Sequence, residues 1–225
     1  YSRLAELGAV FGSVYGWERA NWFAPKNYQL TESNLNRDDT LWNKNHSEPL
    51  ADGRIVEKNS FRRSNYFDFV GQECRHVQSS VGILDMSAFS KASVEGSESE
   101  TWLNIILANK VHSKPGRIAL CHMFSLHGGV RAEFTVYRKS RNSFYLVFSG
   151  ATERHDWDYL NKLLPKHGSI NIQNITTQKG VFVIAGPKSR SLLQKLTDTS
   201  LDNEHFPWLT GKTVNIGYGI ADALR

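Results

Sequence analysis

The sequence is poor in cysteine and has no long apolar run. Its two cysteines, Cys74 and Cys121, have no CxxC spacing, so we exclude the disulfide framework of a small secreted domain and predict a reduced, intracellular setting. No apolar run approaches the roughly 18 residues that span a bilayer, and no membrane partner is predicted. The eight histidines show no spacing typical of metal ligands, so no metal site is predicted.

Charge of neither sign dominates the chain. The net charge of +5 is spread along it, and the densest basic cluster (Arg138, Lys139 and Arg141) lies at a predicted hairpin turn. This cluster weakly favours an anionic ligand or a nucleic acid, but a solvated basic face is the preferred interpretation. There is no RNP1-like motif, so no nucleic-acid partner is predicted; a steeply salt-dependent affinity for RNA or DNA would support that rival function.

The sequence does have enough apolar residues for one large domain with an extension, since 40% of it is hydrophobic and 12% aromatic. Residues 2–15 are predicted to form a helix, and the four-residue spacing of its glycines is not the GxGxxG of a dinucleotide site. The aromatic-rich residues 16–23 are expected to pack as an anchor. Residues 26–60 are polar and predict a long loop or linker.

From residue 61 onward, segments with helical and strand periodicity alternate. Helices are predicted over 68–80, 97–111, 152–164 and 187–196. Strands are predicted over 82–87, 91–96, 117–124, 130–137, 142–148, 170–176 and 180–186. Short turns join the strands at 117–124, 130–137 and 142–148, which predicts an antiparallel meander. Helices interleaved with hairpins predict the α+β class, not a doubly wound parallel sheet.

Three short motifs carry only weak functional interpretations. TGKT at 210–213 lacks the earlier glycine of a phosphate-binding loop, because Phe206 stands at that position. GPKSR at 186–190 is typical of a plain strand-to-helix turn, with anion binding at the helix N-terminus as the alternative. Cys121 and His122 are neighbours in a predicted strand, so their side chains point to opposite faces and cannot form a nucleophile–base pair.

Glu133 stands out in the predicted strand 130–137. One face of this strand is apolar and consists of Val130, Ala132, Phe134 and Val136. Glu133 falls on the other face, although strands disfavour glutamate. One explanation is an exposed carboxylate paired with Arg131 or Arg138. The other is that the carboxylate serves a binding or catalytic site.

A set of motifs in a fixed order resembles a known family. These segments are YGWERANWF (15–23), SFRRSNYFDFVGQE (60–73), GILDMSAFSK (82–91), CHMFSLHGGVRAEFTV (121–136), FYLVFSGATERHD (144–156), IAGPKSRSLLQKLT (184–197) and DNEHFPW (202–208). In their order and spacing they are similar to the C-terminal half of the dimethylglycine dehydrogenase and sarcosine dehydrogenase family. That half is related to the aminomethyltransferase (T-protein) of the glycine cleavage system. The resemblance covers most of the chain and is weakest over 26–60.

The resemblance implies a T-protein-like α+β domain of antiparallel sheets and packed helices that binds tetrahydrofolate. It also implies that FAD belongs to a preceding flavin domain of the same parent chain, where an N-methyl amine is oxidised to an iminium. The folate region then captures the one-carbon unit as 5,10-methylenetetrahydrofolate. We accordingly expect residues 1–59 to be an extension and linker and residues 60–225 to be the folate-binding domain. The expected location is the mitochondrial matrix or a bacterial cytoplasm.

The family motifs also assign roles to four residues. Glu133 matches the folate-site acid, usually an aspartate in the family, which takes or relays a proton as the folate amine attacks the iminium. Phe89, Leu120 and Val147 match positions that line the folate pocket, although core packing is an open alternative for all three. We therefore expect Glu133 to point, partly buried, into a cavity lined by the other three.

Two features suggest a piece of a longer protein. The chain begins at a tyrosine without a signal peptide, and relatives continue past the position of residue 225 into a glycine-rich segment with a second folate-binding glutamate. We expect the pocket of this chain to be open and incomplete, and the chain alone to be inactive. The alternative to an enzyme is a non-catalytic regulatory relative, resembling the regulatory subunit of pyruvate dehydrogenase phosphatase.

Overall fold

The computed structural model describes residues 1–14, 16–26, 28, 47–49, 55–57, 64 and 66–225. They form two compact units. Unit one comprises Tyr1–Asp85 with Ile184–Pro187, and unit two comprises Met86–Val183 with Lys188–Arg225. The expected boundary at residues 59 and 60 lies outside the described residues and stays a prediction. No helix of the described ranges is long and apolar enough to cross a membrane.

Unit one begins with a hairpin where the sequence predicts a helix. Its elements are α1 (Ser2–Glu6), β1 (Ala9–Val14), β2 (Trp17–Phe23), β3 (Ser47–Pro49), β4 (Ile55–Glu57), α2 (Phe67–Ser79) and β5 (Gly82–Asp85). β1 and β2 pair antiparallel, so the helix predicted over residues 2–15 is wrong beyond Glu6. Gly8 and Gly16 have φ angles of +90° and +86°, which glycine adopts at low cost and other residues avoid. Gly8 turns the chain after α1, and Gly16 lies between β1 and β2, where the chain reverses.

The stretch predicted as a linker contains a second, short hairpin. β3 and β4 pair antiparallel, so the prediction of a loop over 26–60 is wrong for these two strands. Most of the remaining stretch lies outside the described residues. The prediction of an aromatic anchor is confirmed, because Trp22 is buried and its ring lies 5.4–5.8 Å from those of Tyr28, Tyr66 and Phe69.

Unit two is built on a five-stranded antiparallel sheet. Its elements are β6 (Ser90–Glu95), α3 (Ser99–Ile106), β7 (Ile118–Phe124), β8 (Val130–Ser140), β9 (Ser143–Phe148), α4 (Glu153–Lys162), β10 (Asn171–Asn174), a 3₁₀ turn (Thr176–Gln178), β11 (Phe182–Ala185, ending in unit one), α5 (Ser189–Gln194), β12 (Gly211–Ile216) and β13 (Gly219–Leu224). The strand order is β10–β6–β9–β8–β7, which confirms the predicted meander. β12 and β13 pair with each other and were not predicted.

One face of the sheet carries the core of unit two. Its buried side chains alternate along the strands: Ala92, Val94, Ala119, Cys121, Met123, Ala132, Phe134, Val136, Phe144, Leu146 and Phe148. They pack against Trp102 and Leu103 of α3 and Leu160 of α4, and the indole Nε1 of Trp102 donates to the Leu163 carbonyl at 2.8 Å. Full burial of each large apolar side chain contributes about 1.5–3 kcal/mol.

The opposite face is covered at one end and open at the other. At the covered end Ile118 and Tyr137 are buried, and a Cβ added at Gly211 would come within 2.6 Å of the Tyr137 ring. The Ile118 amide donates to the Leu209 carbonyl at 2.9 Å. Residues 209–225 therefore close this end, and the open end is left beside the β7–β8 turn.

The basic cluster at the β8–β9 turn is only partly a solvated face, because Lys139 and Arg141 are exposed and Arg138 is not. Arg138 is buried, with 3% of its surface exposed, and its guanidinium lies 2.8 Å from the carboxylate of Glu100. The ammonium of Lys139 lies 2.9 Å from the carboxylate of Asp222. The interpretation as a solvated basic face is therefore wrong for Arg138, whose charge is used inside the protein.

Candidate functional site

Three of the four predicted site residues lie on the open face of the sheet in unit two. Leu120 of β7 pairs with Thr135 of β8, and Thr135 pairs with Val147 of β9. These three side chains therefore form one row across the sheet. Glu133 lies two residues before Thr135 on β8, so its side chain points to the same face in the next row.

The fourth predicted residue, Phe89, lies in the turn that precedes β6. Its amide donates to the Met86 carbonyl at 3.0 Å, and β6 begins at the next residue. Ser90 pairs with Phe148 of β9, which in turn pairs with Phe134 of β8. If this register is continued by one residue, Phe89 and Glu133 fall in the same row across the sheet. The residue that follows β9 then lies between them.

The expected burial of Glu133 is wrong for this chain. Its side chain is 67% exposed, and Leu120 is 55% exposed. Phe89 and Val147 are only partly buried. The four residues thus belong to an open surface and do not enclose a cavity, although Glu133, Leu120 and Val147 face the same side.

Glu133 has a partner that the sequence did not predict. The Nε2 atom of His122 lies 2.9 Å from its Oε2 atom, and the two residues are directly opposite each other on β7 and β8. The predicted alternatives, Arg131 and Arg138, are wrong as partners of this carboxylate. Arg138 binds Glu100, and the Arg131 guanidinium lies 3.8 Å from the centre of the Tyr159 ring.

A β-bulge at Arg131 explains this pairing. Phe124 pairs with Val130, but Met123 pairs with Ala132, so Arg131 is the extra residue of β8. The bulge changes which face the alternate side chains reach. Val130 is 67% exposed instead of joining the apolar face, which corrects the predicted pattern at that position.

Exposed apolar side chains surround the carboxylate. Leu120 and Phe124 lie on either side of His122 along β7, and Val130 is opposite Phe124. All of them are exposed, as is Leu126 in the β7–β8 turn. Large apolar side chains clustered on an open sheet face mark a surface that binds something. A flat ring that carries an amine could contact the apolar side chains and present its N–H to Glu133.

Other predicted motifs have structural roles. Cys121 is buried in the core while His122 is on the open face, which confirms that they cannot act as a pair. Burial raises the pKa of the Cys121 thiol to about 11, so this thiol is not an activated nucleophile. Asp156 is buried in the first turn of α4, where it accepts a hydrogen bond of 2.5 Å from the Thr152 hydroxyl.

The two phosphate-like motifs also belong to the framework. In TGKT, Gly211 is the first residue of β12. In GPKSR, Gly186 has φ +115°, and a Cβ there would lie 2.4 Å from the Ser80 carbonyl oxygen and 2.6 Å from that of Val77. Gly186 thus permits a close approach to the end of α2, as the strand-to-helix interpretation requires.

Comparisons with known proteins agree with this architecture. The chain matches the family described as the GCVT N-terminal domain over residues 1–225. It is 31% identical to human dimethylglycine dehydrogenase, covering 100% of this chain and 23% of the relative. It is 26% identical to the mouse regulatory subunit of pyruvate dehydrogenase phosphatase, covering 97% and 23%. Both relatives are mitochondrial by name, and the chain spans about a quarter of their length.

A solved structure confirms the fold class. The glycine cleavage system aminomethyltransferase T from Bartonella henselae superposes with a TM-score of 0.65 at 16% identity, covering 94% of this chain and 45% of that one. The predicted α+β fold of the aminomethyltransferase type, with antiparallel sheets and packed helices, is therefore confirmed. The chain belongs to the GCVT N-terminal domain family.

Proposed function

We propose that this chain is the tetrahydrofolate-binding, one-carbon-transfer region of a flavoenzyme resembling dimethylglycine or sarcosine dehydrogenase. The observation that carries the proposal is an exposed carboxylate, Glu133, beside exposed apolar side chains on the open face of the sheet in unit two. Membership of the GCVT N-terminal domain family and the named dehydrogenase relative support it.

The surface residues fit a pterin ring. Leu120 is 55% exposed in the middle of β7 and adjoins Thr135 and Val147 across the sheet. Such a row offers a flat, largely apolar strip to one face of an aromatic ring, and small-molecule sites are lined mostly by apolar side chains. Phe89, at the start of β6, would border the same ring. Glu133 then provides the polar contact that fixes its orientation.

Glu133 is assigned the acid–base role. As a folate amine attacks the methylene carbon of an iminium, a C–N bond forms and the attacking nitrogen must lose its proton. A carboxylate within hydrogen-bond reach takes that proton and stabilises the positive charge on the nitrogen until it does. Glu133 returns this proton to the product amine, whose C–N bond breaks as the second folate nitrogen bonds to the methylene carbon. The proton lost by the second nitrogen passes to water, which leaves 5,10-methylenetetrahydrofolate and the neutral amine.

The iminium is formed outside this chain. In the proposal, a flavin domain of the same parent protein would hold FAD, which would supply the oxidation of the N-methyl amine. Capture by this region limits the release of formaldehyde. The proposed location is the mitochondrial matrix or a bacterial cytoplasm, and the names of the mitochondrial relatives support the first.

A regulatory role is the second candidate. The relative named as a regulatory subunit of pyruvate dehydrogenase phosphatase covers almost the whole chain. A regulatory protein of this architecture would not transfer methylene groups, so turnover separates it from the enzyme. Nucleic-acid binding has less support, because Arg138 is buried against Glu100 and adds nothing to a basic surface.

The deciding experiment is Glu133→Gln in the full-length protein. We expect flavin reduction to be unchanged and methylene transfer to slow by roughly 100-fold, the usual scale for losing a general base. Free formaldehyde should rise by the amount of methylenetetrahydrofolate lost. Glu95→Gln is the matched control, because Glu95 is an exposed carboxylate at the far end of the same sheet. Equal methylene transfer in wild type and Glu133→Gln would refute the assignment, and absence of any tetrahydrofolate-dependent turnover would favour the regulatory role.

A further inference from the structure

We propose that His122 is a positioning residue that holds the Glu133 carboxylate in one orientation toward the ligand. The inference rests on the proposed function of Glu133 and extends it to a residue that touches no reacting atom. Its basis is the contact of 2.9 Å between His122 Nε2 and Glu133 Oε2. The strand register supports it, because the two residues are directly opposite each other on β7 and β8.

An exposed glutamate needs such a partner to be effective. Its side chain has three rotatable bonds and, at 67% exposure, little packing to select one rotamer. A carboxylate that must receive a proton loses efficiency when it samples many positions, since the reacting atoms have to be within hydrogen-bond distance and aligned. A hydrogen bond from His122 to Oε2 fixes one oxygen and leaves Oε1 free to face the ligand.

The imidazole is itself held in place by its neighbours. His122 and Phe124 are alternate residues of β7, and their rings are stacked with 6.3 Å between centroids and 19° between planes. Cys121 on one side and Met123 on the other anchor the strand in the core. The donor is therefore presented by a strand anchored in the core and by a ring that stacks on Phe124.

The contribution of this pair to folding stability is too small to explain its presence. His122 is 44% exposed and Glu133 is 67% exposed, and ion pairs between exposed side chains contribute little to stability. A carboxylate held on an open face, beside apolar side chains that are also exposed, is instead arranged for a ligand. The pair belongs to the binding surface and not to the core.

Three variants of the full-length protein test the inference. His122→Phe keeps an aromatic ring beside Phe124 but removes the donor, and His122→Gln restores a donor near the position of Nε2. We expect His122→Phe to slow methylene transfer about fivefold, the upper range for an exposed ion pair, with the dissociation constant for tetrahydrofolate changed less than about twofold. His122→Gln should recover most of the rate. In the Glu133→Gln background, His122→Phe should have no further effect, because His122 acts only through that carboxylate.

His127→Phe is the matched control, since His127 lies in the exposed turn of the same hairpin. A methylene-transfer rate equal to wild type in His122→Phe would overturn the inference. So would a double variant, His122→Phe with Glu133→Gln, whose rate loss is the product of the two single losses. A nuclear magnetic resonance measurement tests the contact without folate: the ¹⁵N shift of His122 Nε2 should change in Glu133→Gln, and an unchanged shift would also overturn it. If Glu133→Gln slows transfer and His122→Phe does not, only the positioning role fails; if Glu133→Gln itself is without effect, the proposed function fails first.

Discussion

Replacing Arg138 with methionine tests whether the basic cluster of β8 stabilises the fold. The guanidinium is buried and donates to three backbone carbonyls: from Nε to Ser140 at 3.1 Å, from Nη1 to His112 at 2.8 Å and from Nη2 to Arg141 at 2.5 Å. It also contacts the carboxylate of Glu100 at 2.8 Å. Arg138 therefore joins the β8–β9 turn to α3 and to the segment before β7.

The magnitude follows from the groups that lose their donor. Leaving a buried carbonyl without a partner costs about 1–3 kcal/mol. Ser140 and Arg141 are exposed residues, so water can reach part of their carbonyls, and the lower value applies. Three carbonyls then give a loss of about 3 kcal/mol for Arg138→Met. Arg138→Lys retains one donor group but not the planar fork, and we expect a loss of about 2 kcal/mol.

Hydrogen exchange of peptides from β8 and β9 measures this effect within unit two. A loss of about 3 kcal/mol corresponds to roughly 100-fold faster exchange in the most protected amides. Lys139→Met is the matched control, since Lys139 is the next residue and makes an exposed ion pair with Asp222, worth at most about 1 kcal/mol. Equal exchange rates in Arg138→Met and Lys139→Met would refute the structural role of Arg138.

Three further predictions use other parts of the chain. Iodoacetamide should modify Cys74, which is exposed, and spare Cys121, which is buried; mass spectrometry of the native protein measures this, and equal labelling would contradict the described core. Burial, and then the charge of Asp222, raise the pKa of Tyr145 to about 12, above the ordinary value of about 10. The protonated Tyr145 hydroxyl therefore contributes its full stabilisation below about pH 10, and this contribution is lost between about pH 10 and 12. In unfolding experiments over this range, the free energy of unfolding of wild type should fall more steeply with pH than that of Tyr145→Phe. Gly186→Ala should lower the free energy of unfolding by about 3 kcal/mol, and Gly168→Ala by only about 1 kcal/mol. Both glycines have positive φ, but of the two only Gly186 closely approaches another part of the backbone. Equal melting temperatures of the two variants would contradict this.

The strands that were predicted best from the sequence are those with one apolar face. β7, β8 and β9 alternate buried and exposed residues over most of their length, and alternation with short turns is sufficient to predict a meander. The N-terminal hairpin was missed because the apolar spacing of residues 2–15 suits a helix, whereas glycines with positive φ decide the outcome. β12 and β13 were missed although they are as long as β9, because their sequences, GKTVNI and GIADAL, do not alternate apolar and polar residues regularly.

The candidate site was only partly accessible to sequence reasoning. Alternation placed Glu133 on the polar face of β8, but resemblance, and not the pattern, gave it a function. Its exposure could not be predicted, because exposure depends on which other segments cover that face. Arg138 was interpreted as a surface charge because nothing local reveals that the carbonyls of its own turn and the carboxylate of Glu100 surround it.

His122 was missed for a specific reason, which also explains how the surface is formed. Phe124 pairs with Val130 next to the β7–β8 turn. If the pairing continued from there without a bulge, His122 would pair with Ala132, and the imidazole would lie opposite a core residue. The extra residue Arg131 shifts the register by one, which brings His122 opposite Glu133 and leaves the guanidinium on the helix-covered side, over Tyr159. The same bulge lets Val130 and Glu133, three residues apart, both face outward, which a regular strand forbids. Because Arg131 lies outside the ladder, the carboxylate–imidazole pair and the apolar border beside it occur on one face. Deleting Arg131 would join Val130 directly to Ala132 and keep His122 opposite Glu133, so we expect the pair to survive that deletion, whereas forcing Arg131 into the ladder would separate the two groups.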